Sequence, residues 1–464
     1  MRNFLSKFIG DRNFYRRVMV VTLPIMLQNV ITNFVSLLDN IMVGQIGTEQ
    51  MTGVSIVNQL LFVFNLCIFG GVAGPGIFSA QFFGKGDTDG VRHSFRAKII
   101  VGIVVSVAFI GALIPWHDQL ISLFIHEGQE NLDMTATLNY GKQYMWIMLV
   151  GLPAFAISNC YASSLRECGE TVVPMKVGVL AVVVNCVLNY VLIFGMLGAP
   201  VLGVQGAAIA TVVSRYIEVG ALIWWTHRNK AKNPFIVGAY KTLRIPKALA
   251  LDILRKGAPL LINEALWSAG MTMLNQSYST RGLEVVSAVN ISSTVSNLFF
   301  CAFFAFGNAV SIMVGQLLGA GQTERARDED RKLITCSVIT SSIFGIVLFF
   351  TAHLIPQMYN TTDMVKDIAA NFLMINAIFM PVNGFVHTVY FTLRCGGKTI
   401  ITFLFDSAFT WSICVPLAFV LSRFTALGVI PIFLSVYSCD LIKVVVGSIL
   451  LKKGSWINNL VAGK

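Results

Sequence analysis

The sequence predicts an all-α polytopic membrane protein, with twelve transmembrane helices in two six-helix lobes related by a parallel pseudo-two-fold repeat. Three observations carry this reading. Of 464 residues, 55% are hydrophobic and only 12% charged, giving a mean hydropathy of +0.71, far outside the soluble globular range. Apolar runs of about 20 residues, enough for a helix to cross roughly 30 Å of hydrocarbon, recur along the whole chain. The second half also repeats the first in a nearly constant register.

The elements follow in order. Residues 1–17, MRNFLSKFIGDRNFYRR, are basic and amphipathic and are expected to lie on the membrane surface; no small-residue cleavage site follows them. The N-lobe, 18–226, is expected to hold spans at 18–40, 54–82, 99–115, 143–165, 172–196 and 204–226. The C-lobe, 257–451, is expected to hold spans at 257–280, 285–317, 333–355, 368–393, 399–421 and 428–451. Between them 227–256 reads as a cytoplasmic connector, and 452–464 as a cytoplasmic tail. Connections are short except 116–142, 227–256 and 318–332, so no soluble domain fits between spans and function must reside within the helices.

Orientation follows from Lys and Arg. With the N terminus inside, the cytoplasmic segments (1–17, 83–98, 166–176, 227–256, 318–332, 394–398 and 452–464) hold nearly all basic residues, whereas the opposite loops hold Lys142, Arg281, Lys366 and Arg423. Both termini are therefore expected in the cytoplasm, and the net charge of +11 is a topology signal. No basic patch on a folded module points to nucleic acid. The nine cysteines lie in or beside spans or on inner loops, without a CxxC or Cys/His cluster, and read as packing residues; no cofactor is expected.

The repeat is explicit. A shift of 235 pairs Pro24 with Pro259 and lays "FSAQFFGKGD" onto "MVGQLLGAGQ", matching Gln81 with Gln316, Gly84 with Gly319 and Gly86 with Gly321. A shift of 228 pairs Pro153 with Pro381 and Arg166 with Arg394; a shift of 225 pairs "LGV" at 202–204 with "LGV" at 427–429. Six spans per half is an even number, so the halves share one orientation and the axis runs along the membrane normal. Two such lobes around a central cavity suit alternating access.

Polar residues inside spans mark candidate cavity faces, because a charge in hydrocarbon costs a few kcal/mol and is normally turned toward protein or water. Helical spacing groups Gln28, Thr32 and Asp39 in span one and Asn185 with Asn189 in span five. It groups Glu264, Ser268 and Asn275 in span seven, Asn290, Ser293 and Asn297 in span eight, and Asn376, Met380, Asn383 and His387 in span ten. For a single Asn or Ser, helix-to-helix hydrogen bonding is the simpler role. Asp39 and Glu264 differ: no basic residue lies three or four positions away, so each must be protonated, bind an ion, or meet a cation from another span. Arg215 with Glu218 and Asp440 with Lys443 read as local ion pairs, and Asp406 is left without one. His387 is open to titration near neutral pH or to a plain hydrogen-bonding role. At the 235 shift Asp39 faces Leu274 and Glu264 faces Asn29, so the lobes carry their acids at different depths.

Several segments in order, "LPIMLQNVITNFVSLLDNIMVGQIGTEQMTGVSI", "GPGIFSAQFFGKGD", "LRECGETVVPMK" and "NCVLNYVLIFGMLGAPVLGVQGAAIAT", resemble the multidrug and toxic compound extrusion (MATE) family, and its bacterial NorM-like efflux proteins in particular. The resemblance spans essentially the whole chain. It implies an inner-membrane antiporter, not an enzyme, that expels amphipathic, usually cationic, small molecules in exchange for Na⁺ or H⁺, and that works as a monomer among membrane lipids. Asp39 matches the family's first-span acid, Asn185 and Asn189 its fifth-span polar partners, and Glu264 its seventh-span acid; either acid would be the place for Na⁺. Two departures stand out: NorM-like relatives commonly add an acid in span ten, where this chain has Asn376, Met380, Asn383 and His387, and another branch has a fifth-span acid where this chain has asparagines.

Two other classes were weighed on the residues. A lipid or lipid-linked oligosaccharide flippase of the same superfamily would need a basic headgroup cavity, whereas the interior bases Arg215 and Lys443 each have a local acid. An intramembrane enzyme would need a constellation such as HExxH or GxGD, and none occurs.

Overall fold

The computed structural model describes residues 8–122, 134–359 and 361–463. Among the described residues there are twelve long helical elements: α1 Arg12–Gly44, α2 Thr48–Lys85, α3 Thr88–Ser122, α4 Met134–Glu167, α5 Val172–Phe194, α6 Val204–Arg228, α7 Lys247–Ser279, α8 Leu283–Gly319, α9 Thr323–Thr351, α10 Asp363–Cys395, α11 Thr399–Phe424 and α12 Val429–Lys453. Eleven are long and apolar enough to cross a membrane. The exception is α7, whose apolar run is interrupted by Asn263, Glu264 and Asn275.

The repeat is visible in the helix ends. α1 and α7 are both 33 residues long and offset by 235, α3 and α9 both start on a threonine 235 apart, and α6 and α12 both start on a valine 225 apart. Local signals stop the helices where they do. Gly195 ends α5 at φ 69° and Gly454 ends α12 at φ 67°, in a left-handed conformation that costs glycine little. Thr362 caps α10 by accepting from the Val365 N–H.

The helices run further than the apolar stretches suggested. An apolar run reports only hydrocarbon thickness, whereas a helix keeps its internal hydrogen bonds into the polar zone. Residues 247–256 of the expected connector form the start of α7, and 323–332 form the start of α9. Of the expected surface leader, residues 1–7 lie outside the described residues, while 12–17 are the first turns of α1, with Phe14 2% exposed and Arg17 paired to Glu329 at 2.8 Å. Part of the long 116–142 connection, 123–133, also lies outside the described residues. Arg394, expected on a loop, is in the last turn of α10 and 7% exposed.

The chain divides into two compact units. One comprises 1–26, 80–87 and 258–464, the other 27–79 and 88–257. α1 and α7 are each divided close to an internal proline, Pro24 or Pro259. There the missing N–H and the ring weaken the helix.

In the first unit, the repeated Gln-x-x-Gly motifs cross. A Cβ on Gly84 would lie 1.9 Å from the Gln316 carbonyl oxygen, and one on Gly319 would lie 1.9 Å from that of Gln81. The two helix ends thus touch backbone to backbone, which only glycine permits. Fully buried Gln81 then donates to the carbonyls of Cys395 (3.0 Å) and Asn458 (3.2 Å) and accepts from the Leu460 N–H (2.8 Å). The tail is therefore folded: Trp456 is 1% and Val461 0% exposed, and Lys85 Nζ reaches the Val461 carbonyl at 3.0 Å. At the 225 shift this tail matches residues after α6, with Asn458 on Asn233, Leu460 on Phe235, Val461 on Ile236 and Gly463 on Gly238. That earlier segment is held to the second unit by Arg96, which donates to the carbonyls of Ala239, Arg244 and Gly238. The repeat thus extends past the last helix of each half.

Candidate functional site

In the second unit, α1 carries Asp39 to a cluster of amides on α5. Asn189 Nδ2 donates to Asp39 Oδ1 at 2.6 Å. With the Asn185 amide turned so that both its ends are satisfied, its nitrogen donates to both Asp39 oxygens at 3.1 Å and its oxygen accepts from Thr211 Oγ1 of α6 at 3.2 Å. Asn185 and Asn189 are 6% and 1% exposed, one helical turn apart, so one face of α5 presents both amides. Two further groups act on the acid's charge from nearby: Arg215 on α6 and Tyr144 on α4. Arg215 is paired to Glu218 at 2.9 Å, as the spacing predicts, and Tyr144 donates to Asn58 Oδ1 at 3.3 Å. The sequence placed Arg215 only in its local pair; its reach to Asp39 crosses helices and leaves no short-range signal.

The C-lobe acid lies in the other unit. Glu264 is 9% exposed, and its Oε1 accepts from the Tyr390 hydroxyl of α10 at 3.2 Å. Asn263, one residue earlier and 1% exposed, donates to the same hydroxyl oxygen at 3.3 Å and to Asp406 Oδ2 at 3.0 Å. Asn263 is held in turn by Ser407, whose N–H donates to its Oδ1 at 3.3 Å and whose hydroxyl donates to its carbonyl at 2.7 Å. Asp406 and Ser407 sit in a wide-turn stretch of α11, Leu404–Ala408 and Thr410–Cys414, followed by Pro416. Such wide turns re-aim side chains and often mark functional positions.

Asp406 is not unpaired: Lys443 of α12 lies 3.8 Å from its Oδ1 and 3.3 Å from Asp440 Oδ1. Glu264 likewise has a distant cation, since Arg394 acts electrostatically on it. Neither acid has a cation three or four positions away, as read from the sequence, and the cation each meets comes from a helix more than 30 residues away. Asn263 was missed as a site residue. Its signal was present, since the 235 shift lays it on Gln28.

The remaining stripe residues divide. Gln28 lies against Gly178, where an added Cβ would meet its amide at 2.7 Å. Asn376 is 3% exposed and donates to Ser292 (3.2 Å) and Ser296 (2.9 Å) of α8, an interhelical clamp. On α8, Ser292 and Ser296 are buried against α10, while Asn290, Ser293 and Asn297 are exposed. Met380 is fully buried and is core. Thr32 and Asn275 are exposed, and Ser268 and Asn383 half-buried. His387 is enclosed by the rings of Phe303, Phe304, Tyr390 and Phe391 at 4.5–6.2 Å, and its Nε2 has no hydrogen-bond partner among the described residues.

Among the described residues no three or more His, Cys, Asp or Glu side chains are grouped to hold a metal ion. Asp39 and Glu264 instead each accept a hydrogen bond from a neutral side chain, Asn189 or Tyr390, with Arg215 or Arg394 acting on the charge.

A family model described as MatE matches residues 24–191 and 259–420, one stretch in each half of the repeat. The chain belongs to the MatE family. Its members are secondary transporters, so this chain is a membrane transporter and not an enzyme. It is similar to a protein from Thermotoga maritima called "Probable multidrug resistance protein NorM", 25% identical over 95% of this chain and 93% of that one. It is also similar to "Probable multidrug resistance protein YoeA" of Bacillus subtilis, 25% identical over 90% and 89%. Among solved structures, an outward-facing multidrug resistance MATE family transporter of the MOP superfamily superposes with a TM-score of 0.86, at 18% identity, over 97% of this chain and 98% of that one. A MOP superfamily transporter from Pyrococcus furiosus superposes at 0.84 over the same shares. These two likenesses speak to the fold.

Proposed function

We propose that this MatE transporter is a cation-coupled multidrug efflux antiporter of the cytoplasmic membrane, exporting amphipathic, mostly cationic compounds in exchange for Na⁺ or H⁺ by alternating access. In this reading both termini lie in the cytoplasm, which the distribution of Lys and Arg supports, and the chain acts as a monomer in lipid. The names of the Thermotoga and Bacillus relatives support the drug-export part of this reading.

The observation that carries the coupling is a carboxylate inside the first helix of each half, Asp39 and Glu264, each accepting a hydrogen bond from a neutral side chain, with an arginine of another helix acting on its charge. A carboxylate so placed is costly when bare and is stabilised by a proton or a small cation. In the N-lobe the buried Asn189 Oδ1, which has no partner among the described residues, adds an oxygen beside Asp39, and oxygen donors suit hard cations. A cationic drug and the coupling ion seek the same negative charge, so occupancy by one discourages the other. Such competition is what antiport requires.

The test is efflux of a fluorescent organic cation from proteoliposomes, with Na⁺ and pH gradients imposed separately, for the wild type, Glu264→Gln and Asp39→Asn. One gradient is expected to drive efflux and at least one substitution to abolish it. Efflux driven by neither gradient would overturn the antiporter reading and turn attention to lipid or lipid-linked oligosaccharide translocation.

A further inference from the structure

Six polar side chains on four helices of the C-lobe form a continuous chain, in the order Glu264, Tyr390, Asn263, Asp406, Lys443 and Asp440. Only the first has a role in the coupling described above. Lys443 is the one cation placed between two carboxylates, 3.3 Å from Asp440 on its own helix and 3.8 Å from Asp406 on α11, and its side chain is 9% exposed. Phe409 lies 5.1 Å below its ammonium group and helps hold the charge away from water. An ion pair this buried is a poor stabilising device, because desolvation offsets most of the attraction. Replacing it with apolar residues would cost the fold little, so its presence calls for another role.

The connection to Glu264 supplies one. Asn263 is pinned between α7 and α11 by both bonds to Ser407, so its amide cannot turn away. Its nitrogen carries two N–H groups, one donated to the Tyr390 oxygen and the other to Asp406. When Glu264 is charged, the Tyr390 proton points at it, which makes the phenol oxygen a better acceptor for Asn263. Both N–H groups draw on one nitrogen, so a stronger bond to the phenol weakens the one to Asp406, which then draws more strongly on Lys443. When Glu264 is occupied by a cation, the phenol is a weaker acceptor, Asn263 satisfies Asp406 more fully, and Lys443 settles on Asp440.

We infer that Lys443 is a built-in counter-cation, shared between Asp406 and Asp440 according to the charge on Glu264, and that it sets how tightly Glu264 holds the coupling ion. This rests on Glu264 being the C-lobe coupling residue. The charged groups packed around the chain are Arg394 on α10, which acts on Glu264, and Asp406, Asp440 and Lys443 on α11 and α12.

The experiment measures the coupling-ion concentration for half-maximal efflux in proteoliposomes for Lys443→Gln, Asp406→Asn, the double variant, Lys443→Arg and Glu264→Gln. Removing the lysine charge leaves the lobe more negative, so Lys443→Gln is expected to lower the half-maximal concentration by about fivefold or more, the low end of coupling between linked sites, and to slow turnover. Asp406→Asn is expected to raise it. The double variant is expected to return toward wild type, and Lys443→Arg to match it. A purely structural role would lower turnover in both single variants, make the double variant worse, and leave the half-maximal concentrations alike; that result overturns the inference. If Glu264→Gln itself keeps ion-driven efflux, the coupling reading fails first and this inference falls with it. If Glu264→Gln abolishes coupling while Lys443→Gln and Asp406→Asn shift the concentration in one direction or not at all, the inference alone is wrong.

Discussion

Gly84→Ala and Gly319→Ala test the crossing of α2 and α8. In each case the new methyl would sit 1.9 Å from a backbone carbonyl oxygen on the facing helix, an atom that no rotamer change can move. Restoring even the tightest tolerated contact requires the helices to part by about 1 Å, and overpacking of this kind costs about 1–3 kcal/mol. The shift also pulls Gln81 away from Cys395, Asn458 and Leu460, each bond contributing about 1 kcal/mol. We expect a loss of about 2–5 kcal/mol for either substitution, on these two contributions together. Gly220→Ala is the matched control: it lies inside α6 with nothing within 4 Å of an added Cβ, so it should be neutral or stabilising by up to about 1 kcal/mol. Thermal unfolding of purified protein in detergent, followed by tryptophan fluorescence and monodispersity, reads the difference. If Gly84→Ala and Gly319→Ala melt with Gly220→Ala, the close crossing is not a feature of the folded protein.

Three further outcomes follow from particular contacts. Asn189→Ala removes the shortest hydrogen bond to Asp39; we expect coupled efflux to fall about tenfold, as for loss of a bond to a charged group, with no further loss when it is added to Asp39→Asn. Asn376→Ala should lower stability by about 1 kcal/mol through its bonds to Ser292 and Ser296, yet leave the half-maximal ion concentration unchanged. Trp456→Ala should destabilise the protein by about 3–5 kcal/mol, because the ring is 1% exposed. A wild-type melting temperature in that variant would mean that the tail does not pack as described.

The architecture was legible because membrane burial imposes simple patterns: apolar runs for spans, and a repeat register that the helix ends reproduce to the residue in α1 and α7. Helix ends were less legible, since residues such as those at 247–256 and 323–332 are polar yet helical. At the site, Asn185 and Asn189 share one face of α5, as helical spacing suggested, and their meeting with Asp39 is what the family resemblance implied. Spacing within a helix cannot reveal which faces of different helices meet. For that reason Arg394, Asn263, the Asp406–Lys443 pair and the bonds of Asn376 to Ser292 and Ser296 escaped it. The tail escaped for a related reason: the apolar pairs Trp456–Ile457 and Leu460–Val461 are too short to read as a span, and only their partners explain the burial of Trp456 and Val461.

In the proposed antiport one carboxylate serves two ligands in turn. The most direct measurement is release of the coupling ion when a cationic drug is added to purified, ion-loaded protein, read as protons in weakly buffered solution and as radioactive sodium in parallel. The account predicts release of one of these ions in proportion to drug bound, and its loss in Glu264→Gln or Asp39→Asn. Drug binding without release of either ion, or release that persists in both variants, would contradict it.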